Sequence, residues 1–385
     1  MSARPEIHAP EGGAVFGAQS RYMAAPAGVS TRYRPPDNPV TAEKVALGRL
    51  LFFDRRLSHN GTFSCAMCHV PEQGFSSNEL ATAVGIEGRS VRRNAPTIYN
   101  VAYLERLFHD GRESTLEQQI WGPLLARNEM GNPSVGLVIE RVTSIPEYRE
   151  RFARAFGGRA PSMETLGRAL ASYQRLLVSA NSAFDRWYFG RDDRALSAEQ
   201  KAGFDLFTGR AGCSACHLVN PEFALFTDNR MHNTGIGYRR SMAQSPATMR
   251  VQIAPGEHIE VSSNIVAEAS EPPPNDLGLY EITEHPDDRW KYRTPTLRNV
   301  ALSAPYMHDG SIATLEGVID FYDRGGVANE LRDPLMRPLG LTGEEASQLV
   351  AFLHALTGGN VDALVADAFA VPVGNRRSED PPSAR

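Results

Sequence analysis

Apolar positions along this chain recur mainly at helical spacing. A helix is predicted to begin at Thr41 and to run through Phe52, and another to begin at Ser197, where Ser-Ala-Glu-Gln has the pattern of a capping box, and to carry Phe207. Strand-like alternation is scarce, so the pattern predicts a mainly α fold. Further helices are predicted at 115–127, 138–156, 162–181, 314–323 and 343–357.

The length of 385 residues predicts two or three domains, at roughly 150 residues each. Residues 1–38 are rich in Pro, Gly and Ala and predict an extended arm. We expect one domain at 39–190, a second at 191–362, and a C-terminal tail at 363–385 that is disordered at its end.

Charge and hydropathy exclude two classes of protein. The formal charge of −5 lacks the broad basic field of a nucleic-acid binder, so no nucleic-acid partner is expected. No stretch approaches the roughly 18 apolar residues of a transmembrane helix, so no membrane span is expected. The start, MSARPEIHAPEGG, has no apolar signal-peptide core, and we expect that a leader is absent from the chain as given.

All four cysteines belong to two copies of one motif, Cys-x-x-Cys-His. Such a motif suits covalent attachment of haem c, because the thiols capture the porphyrin and the adjacent His reaches the iron as proximal ligand. The copies predict two haem c groups and, because bacterial c-type cytochromes mature outside the reducing cytosol, a periplasmic location. The residues are Cys65, Cys68 and His69 in the first copy and Cys213, Cys216 and His217 in the second.

Two other interpretations of these motifs fit less well. A structural zinc site needs four ligands, and each cluster offers three. A redox dithiol would use the two thiols but leaves the His after each pair unexplained. Two copies of the motif, with no spare cysteine, favour haem.

A second repeat follows each haem motif. Residues 95–117 and 294–316 align without gaps at an offset of 199, with eleven identities that include His109 with His308. Chance does not give so many, so we interpret the chain as two related haem domains produced by internal duplication.

The same offset pairs Tyr322 with Pro123. A phenolate binds iron, whereas a proline side chain has no donor atom. If the repeat covers the distal side of each haem, the second iron is closed by Tyr322 and the first is open. Such an iron is what a peroxide-activating site requires.

Candidate acid–base groups lie near Pro123. Glu129 is suited to take a proton from peroxide and to return it to the leaving oxygen, and Gln119 could hold peroxide or water by a hydrogen bond. Without the repeat, both would be ordinary solvated helix residues.

Over residues 40–360 the sequence resembles the bacterial di-haem cytochrome c peroxidases, and within them the MauG-like branch. The motifs that carry the resemblance are the two Cys-x-x-Cys-His copies, RNAPTIYNVAY, NEMGN, ALFTDNRMHNTGIG and RTPTLRNVALSAPYMHDGS. It implies two cytochrome c-like α domains whose haems face a shared interface.

The resemblance also implies roles for individual residues. His69 and His217 would be proximal ligands, Tyr322 the distal ligand of the second haem, and Glu129 and Gln119 distal groups over the first haem beside Pro123. It implies one calcium ion between the haems, held by Asn94 and by the carbonyls of Ser303 and Pro305. Met307 and Met336 remain alternative ligands of the second iron.

Two departures from the family pattern matter for function. Peroxidases that need reductive activation carry a blocking His shortly after the first motif, where this chain has Val84-Gly85-Ile86-Glu87-Gly88. The first haem should therefore be open in the resting oxidised state. The family's inter-haem Trp is His109 here, and imidazole is harder to oxidise than indole, which puts a relay through this position in doubt.

The resulting functional hypothesis is a MauG-like peroxidase. Hydrogen peroxide would react at the first haem, and a second haem ligated by Tyr322 would store an oxidising equivalent before a redox partner is oxidised. The partner would be a cytochrome c, a cupredoxin or a protein substrate. The alternatives are a conventional di-haem cytochrome c peroxidase and a non-catalytic di-haem electron carrier.

Overall fold

The computed structural model describes residues 35–242, 248–254, 257–263, 265 and 275–370, and this part of the chain is mainly α. In the N-terminal half the helices are α1 Ala42–Phe53, α2 Leu116–Gln119, α3 Trp121–Leu125, α4 Val135–Ser144, α5 Pro146–Ala155, α6 Met163–Gln174 and α7 Ala183–Tyr188. In the C-terminal half they are α8 Ala198–Thr208, α9 Ile236–Met242, α10 Tyr280–Thr283, α11 Leu315–Asp323, α12 Gly343–His354 and α13 Val361–Phe369.

In the described part of the chain, strands form two small antiparallel pairs. β1 Met231–His232 pairs with β4 Tyr292–Arg293, and β2 Thr248–Ala254 pairs with β3 Glu257–Ser262. The β2–β3 hairpin was not predicted from the sequence. Among the described residues, no helix combines the length and the apolar character that crossing a bilayer demands.

The two helices that precede the haem motifs begin where the sequence predicts. Thr41 accepts a hydrogen bond from the Lys44 N–H, and Ser197 forms the predicted capping box. Each helix then crosses a later helix at a glycine. A Cβ on Gly48 of α1 would lie 1.9 Å from a carbonyl of α6, and one on Gly203 of α8 would lie 2.0 Å from a carbonyl of α12. Only glycine permits such close crossings.

Two helices predicted as continuous are interrupted at prolines. The predicted helix 115–127 is divided into α2 and α3, because Pro123 has no N–H to donate to the carbonyl of Gln119. The predicted helix 138–156 is divided into α4 and α5, with Pro146 at the first position of α5. The predicted helix 162–181 ends at Gln174.

The buried side chains form two main clusters. The N-terminal core contains Phe52, Phe75 and Phe152, and the C-terminal core contains Phe226 and Phe352. Full burial of one such ring contributes roughly 1.5–3 kcal/mol. The side chains of α7 pack in the C-terminal core, although α7 precedes the boundary expected at residue 190.

The C-terminal segment returns to the N-terminal half. Helix α13 occupies the start of the tail expected at 363–385, and its Leu364 and Ala368 are buried in the N-terminal core. Asp367 also pairs with Arg49 of α1 at 2.8 Å. The first residues of the expected tail are therefore helical, because their apolar positions recur at helical spacing and pack on the N-terminal core.

Most of the predicted arm and the end of the predicted tail, residues 1–34 and 371–385, lie outside the described residues. At the end of the predicted arm, Asn38 is fully buried, and its side chain donates to Glu117 at 2.6 Å. This end of the arm is therefore fixed against α2.

Candidate functional site

Each Cys-x-x-Cys-His motif folds into a single 3₁₀ turn, Cys65–Met67 in the first copy and Cys213–Ala215 in the second. In each turn the His N–H donates to the carbonyl of the first Cys, at 3.0 Å for His69 and 2.9 Å for His217. The turn brings two thiols and an imidazole together on one short segment. All four cysteines are free, so the thiols are available for covalent attachment.

Both imidazoles are oriented by backbone carbonyls. Nδ1 of His69 lies 3.1 Å from the Phe75 oxygen, and Nδ1 of His217 lies 2.8 Å from the Phe226 oxygen. A carbonyl only accepts, so Nδ1 carries the proton and Nε2 keeps the lone pair that a metal needs. Burial lowers the pKa of both rings and so favours the neutral, ligating form.

The two repeated segments make the same local contacts. Thr97 donates to a carbonyl in the loop after the first motif at 2.6 Å, and Thr296 donates to its counterpart after the second motif at 2.7 Å. Asn100 and Asn299 both adopt a left-handed conformation, with φ of 59° and 60°. Each segment therefore supports the loop behind its own haem motif.

A cavity of about 280 Å³ lies against the second motif. Its walls bring together His217 with its two cysteines, the distal candidate Tyr322 from α11, and the alternative ligands Met307 and Met336. Apolar side chains such as Leu349 and Leu353 line the rest of the cavity. A mostly apolar space with a proximal His on one side and possible ligands on the other suits a haem.

Tyr322 is held as a neutral phenol in the absence of a metal. Burial raises the pKa of its hydroxyl, and the nearby thiols of Cys216 and Cys213 raise it further. A metal cation at this place would reverse that preference, because coordination deprotonates an acidic ligand. The structure leaves Met307 and Met336 in the same cavity, so the choice among the three ligands stays a prediction.

The distal candidates of the first half lie on α2, α3 and the turn that follows. Gln119 ends α2, Pro123 lies in α3, and the carbonyl of Pro123 accepts from the Met130 N–H at 3.1 Å. This bond fixes the turn that carries Glu129 beside Pro123. The structure thus brings Glu129 and Pro123 together, with Gln119 one helical turn before the proline.

The Glu129 carboxyl faces the first haem motif. Its charge helps to raise the pKa of the Cys65 and Cys68 thiols, each to about 12, with burial as the larger cause. Burial also raises the pKa of Glu129 itself, and the Arg112 guanidinium partly opposes that rise. A carboxyl with a raised pKa exchanges a proton more easily near neutral pH.

The stretch Val84–Gly88 packs directly against Glu129. The N–H of Ile86 donates to the Glu129 carbonyl at 2.9 Å, and the Ile86 side chain is only 4% exposed in the N-terminal core. An alkyl side chain therefore lies in the stretch where peroxidases that need reductive activation carry the blocking His. This side chain has no atom that can bind iron.

His109 lines the wall of the second cavity, and the preceding residue, Phe108, packs against α3. The ring of Phe108 lies against Gly122, where a Cβ would approach it to 2.8 Å. Nε2 of His109 donates to the Asn94 carbonyl at 2.9 Å, and burial lowers the pKa of His109 to about 4. His109 is therefore a neutral hydrogen-bond donor on the wall of the second cavity.

The three residues expected to bind calcium line the same cavity, namely Asn94, Ser303 and Pro305. The Asn94 amide donates through Nδ2 to the Ala81 carbonyl at 3.0 Å, which leaves Oδ1 available. An amide oxygen and backbone carbonyls are ligands that Ca²⁺ accepts. The donor set fits calcium, and the ion itself remains a prediction.

Several polar residues around the second cavity are not among the predicted site residues. His232 is held between Asp333, at 2.6 Å from Nδ1, and Asp228, at 2.9 Å from Nε2. Arg293 and His308 lie on the wall of the cavity. The repeat carried a signal for Arg293, because the offset of 199 pairs it with the predicted calcium ligand Asn94.

Comparison with known proteins identifies the family of the chain. A profile of the di-haem cytochrome c peroxidases matches residues 42–194. The chain is 39% identical over 326 residues to the cytochrome-c peroxidase IdrP1 of Denitromonas iodatirespirans, covering 84% of each protein. It is 37% identical over 338 residues to the methylamine utilization protein MauG of Methylorubrum extorquens, covering 86% of this chain and 84% of that protein.

The fold has a solved relative as well. A crystal structure of a MauG-like protein associated with microbial copper homeostasis superposes with a TM-score of 0.71 and 33% identity, covering 89% of this chain and 97% of the other. Fold, haem motifs and sequence identity over most of the chain agree. This chain belongs to the di-haem cytochrome c peroxidase family and is an enzyme of that family.

Proposed function

We propose that this enzyme is a periplasmic, MauG-like di-haem peroxidase that reduces hydrogen peroxide at the N-terminal haem and oxidises a redox partner through the C-terminal haem. Two cytochrome c-like domains, related by internal duplication, would each hold one haem c at a shared interface. His69 and His217 are the proximal ligands in this proposal. A calcium ion bound by Asn94, Ser303 and Pro305 lies between the haems.

One observation carries the proposal. Tyr322 lines the cavity of the second motif together with His217, whereas the repeat places Pro123 at the equivalent position of the first half. A tyrosine side chain provides an oxygen ligand for a metal, whereas a proline side chain has no donor atom. The two sites therefore differ in the number of protein ligands that they can supply, which supports one open and one closed iron.

Glu129 is the acid–base group of the open site. Bound haem iron supplies the redox chemistry. A carboxylate oxygen of Glu129 takes the proton from one peroxide oxygen and returns it to the leaving oxygen, for which its raised pKa is suited. The Gln119 amide orients peroxide or water, and Pro123 leaves space for it.

The pair Phe108–His109 joins the two sites. Phe108 packs against α3 beside Pro123, and His109 lines the second cavity. In this proposal His109 holds the geometry between the haems through its hydrogen bond to Asn94. The oxidised partner would be a small cytochrome c, a cupredoxin or a protein substrate.

Spectroscopy of the ferric holoprotein, followed by rapid mixing with peroxide, tests the proposal. We expect one high-spin and one low-spin haem in the untreated protein, and a fast reaction with peroxide without prior reduction. Two low-spin haems and no reaction with peroxide would indicate an electron carrier and would contradict the proposal.

A conventional di-haem cytochrome c peroxidase is the second candidate. Met336 and Met307 line the same cavity as Tyr322, so a methionine ligand to the second iron is geometrically possible. Methionine ligation raises a haem potential and suits a haem that accepts electrons from a small donor. A methionine–iron charge-transfer band in the ferric protein would favour this candidate.

A further inference from the structure

Four arginine side chains are buried in the described part of the chain, and one of them differs from the others. Three pair with carboxylates: Arg49 with Asp367, Arg175 with Glu117, and Arg298 with Asp185. The fourth, Arg293, is 7% exposed, and no described carboxylate lies within ion-pair distance of it.

The contacts of Arg293 are with backbone carbonyls. Nε donates to the Phe108 oxygen at 3.2 Å, and a terminal nitrogen donates to the Thr294 oxygen at 3.2 Å. These bonds fix the direction of the guanidinium but do not neutralise its charge. Burial lowers the pKa of Arg293 to about 10, and no acidic group offsets this effect.

A buried cation without a counter-ion is costly. The effective penalty for taking one charge out of water is several kcal/mol, and proteins avoid it by pairing the charge. An anion at Arg293 would remove the penalty, and a guanidinium binds a planar carboxylate through two parallel hydrogen bonds. The environment of Arg293 therefore points to an anionic ligand.

The cavity identifies the class of that ligand. Arg293 shares its walls with Cys213, Cys216 and His217, the residues that would hold the second haem. A haem carries two propionate carboxylates, so the cofactor itself brings an anion to this place. Nε2 of His308, also on this wall, is buried without a hydrogen-bond partner among the described residues, so a second polar group there is free to contact a ligand.

The neighbouring arginines are already paired. Arg93 binds Asp276 and Asp110, each at 2.6 Å, and Arg92 binds Glu281 at 2.6 Å. These guanidiniums do not need a further anion. Arg337 also lines the cavity, but it is exposed, so water solvates its charge. Arg293 is the arginine of this wall that is both buried and without a carboxylate partner among the described residues.

We propose that Arg293 binds a propionate carboxylate of the second haem and sets the reduction potential of that haem. The assignment rests on the proposed presence of a haem in this cavity, but not on the peroxidase reaction. A positive charge at the propionate favours the ferrous form over the more positive ferric form. Arg293 therefore opposes the low potential that a Tyr322 ligand would impose.

The test uses the holoprotein and three variants, R293M, R293K and R194M. Met removes the charge, Lys keeps it, and Arg194 is a control because its side chain is 96% exposed. The potentials of both haems are measured by spectroelectrochemistry, and the propionate bending mode by resonance Raman. Haem content and thermal unfolding are recorded for every variant.

R293M should shift the ferric–ferrous equilibrium of the second haem about tenfold toward ferric, which is about 59 mV for one electron. We expect R293K to shift it less and R194M not at all, and the propionate mode to change only in the position-293 variants. Haem-loaded R293M with unchanged second-haem potential and propionate mode would show that Arg293 is merely structural and would overturn the proposal.

Two further outcomes are distinct. A shift confined to the first haem would assign Arg293 to the other cofactor and would contradict this proposal. If R293M does not load haem, R293K provides the test. An altered propionate mode in R293K supports the contact between residue 293 and the propionate, and an unaltered mode contradicts it. Absence of any peroxide reaction in the parent protein would refute the proposed function while leaving these potentials measurable.

Discussion

The backbone N–H of Arg293 donates to the carbonyl of His109 at 2.8 Å. The mirror bond also exists, since the N–H of Asn94 donates to the carbonyl of His308 at 2.8 Å. The repeat offset of 199 relates the two donors to each other and the two acceptors to each other. The halves therefore exchange equivalent hydrogen bonds at the wall of the second cavity, which these four residues line.

Replacement of Tyr322 by Phe should change the second haem alone. The phenol oxygen is lost from the cavity wall while the ring is kept, so the second haem should lose its low-spin tyrosinate spectrum and the first should keep its own. Optical and EPR spectra of the ferric holoprotein measure this.

Tyr306→Phe is the matched control for that change. Tyr306 lines the same cavity, but its hydroxyl donates to the Val300 carbonyl at 3.1 Å. Tyr306→Phe should leave the optical and EPR spectra of both haems unchanged. An unaltered spectrum in Tyr322→Phe would exclude Tyr322 as the ligand and direct attention to Met336 and Met307.

Glu129→Gln should slow the reaction with peroxide about 100-fold or more, because the amide cannot carry the proton between the two oxygens. The resting spectrum should not change. Stopped-flow mixing of the ferric protein with peroxide gives the rate, and Glu150→Gln, at a side chain 75% exposed, is the control.

The pH profile gives an independent check on Glu129. Because burial raises its pKa, the deprotonated form that accepts a proton is lost as the pH falls through a value above the ordinary 4.5. The parent enzyme should lose rate on this acidic limb, and Glu129→Gln should show no such limb. A limb that persists in the variant would assign the titration to another group.

Asp185→Asn should destabilise the protein by about 3–5 kcal/mol, because it leaves a buried charge unpaired. Asp185 is fully buried and binds Arg298 through two bonds of 2.9 Å. Denaturant unfolding measures the loss. Glu164→Gln, which breaks solvent-exposed pairs with Arg159 and Arg168, should destabilise the protein far less. Equal effects of the two changes would contradict the assignment of Arg298–Asp185 as a buried anchor.

His232 should make the protein less stable in alkali. The Cys216 sulfur, followed by Asp333 and Asp228, raises the pKa of His232 from 6.5 to about 10. A raised histidine pKa stabilises the fold fully below pH 6.5, and this contribution is lost as the pH rises toward the folded-state pKa. The slope should reach about 1.4 kcal/mol per pH unit.

Unfolding free energies between pH 6 and 10 measure that slope, and His232→Gln should abolish it. Haem attachment converts the Cys216 thiol to a thioether, so in the holoprotein only Asp333 and Asp228 raise the pKa of His232. The pH range over which stability is lost should then end below pH 10. A slope retained in His232→Gln would locate the titration elsewhere. Exposed His285, whose side chain is 65% exposed, serves as the control position.

Much of the fold was accessible from local sequence. The N-caps at Thr41 and Ser197 and the two haem turns depend on residues three or four positions apart, and such contacts form wherever the chain lies. The two helices that end before Ile120 and before Pro146 were predicted as continuous with the helices after them, although Pro123 and Pro146 give the reason for each break. Helix α13 was missed because its apolar face is explained only by the distant N-terminal core that it covers.

The sequence by itself determined the chemistry that each half can offer: two sets of thiols and imidazole, a repeat at a fixed offset, and Tyr322 where the other half has Pro123. Only the tertiary structure decided which charges lack partners. The difference between Arg298 and Arg293 depends on whether a carboxylate from a distant part of the chain comes within hydrogen-bond range. Such proximity arises from packing across the whole chain, whereas motifs and caps arise from neighbours in sequence.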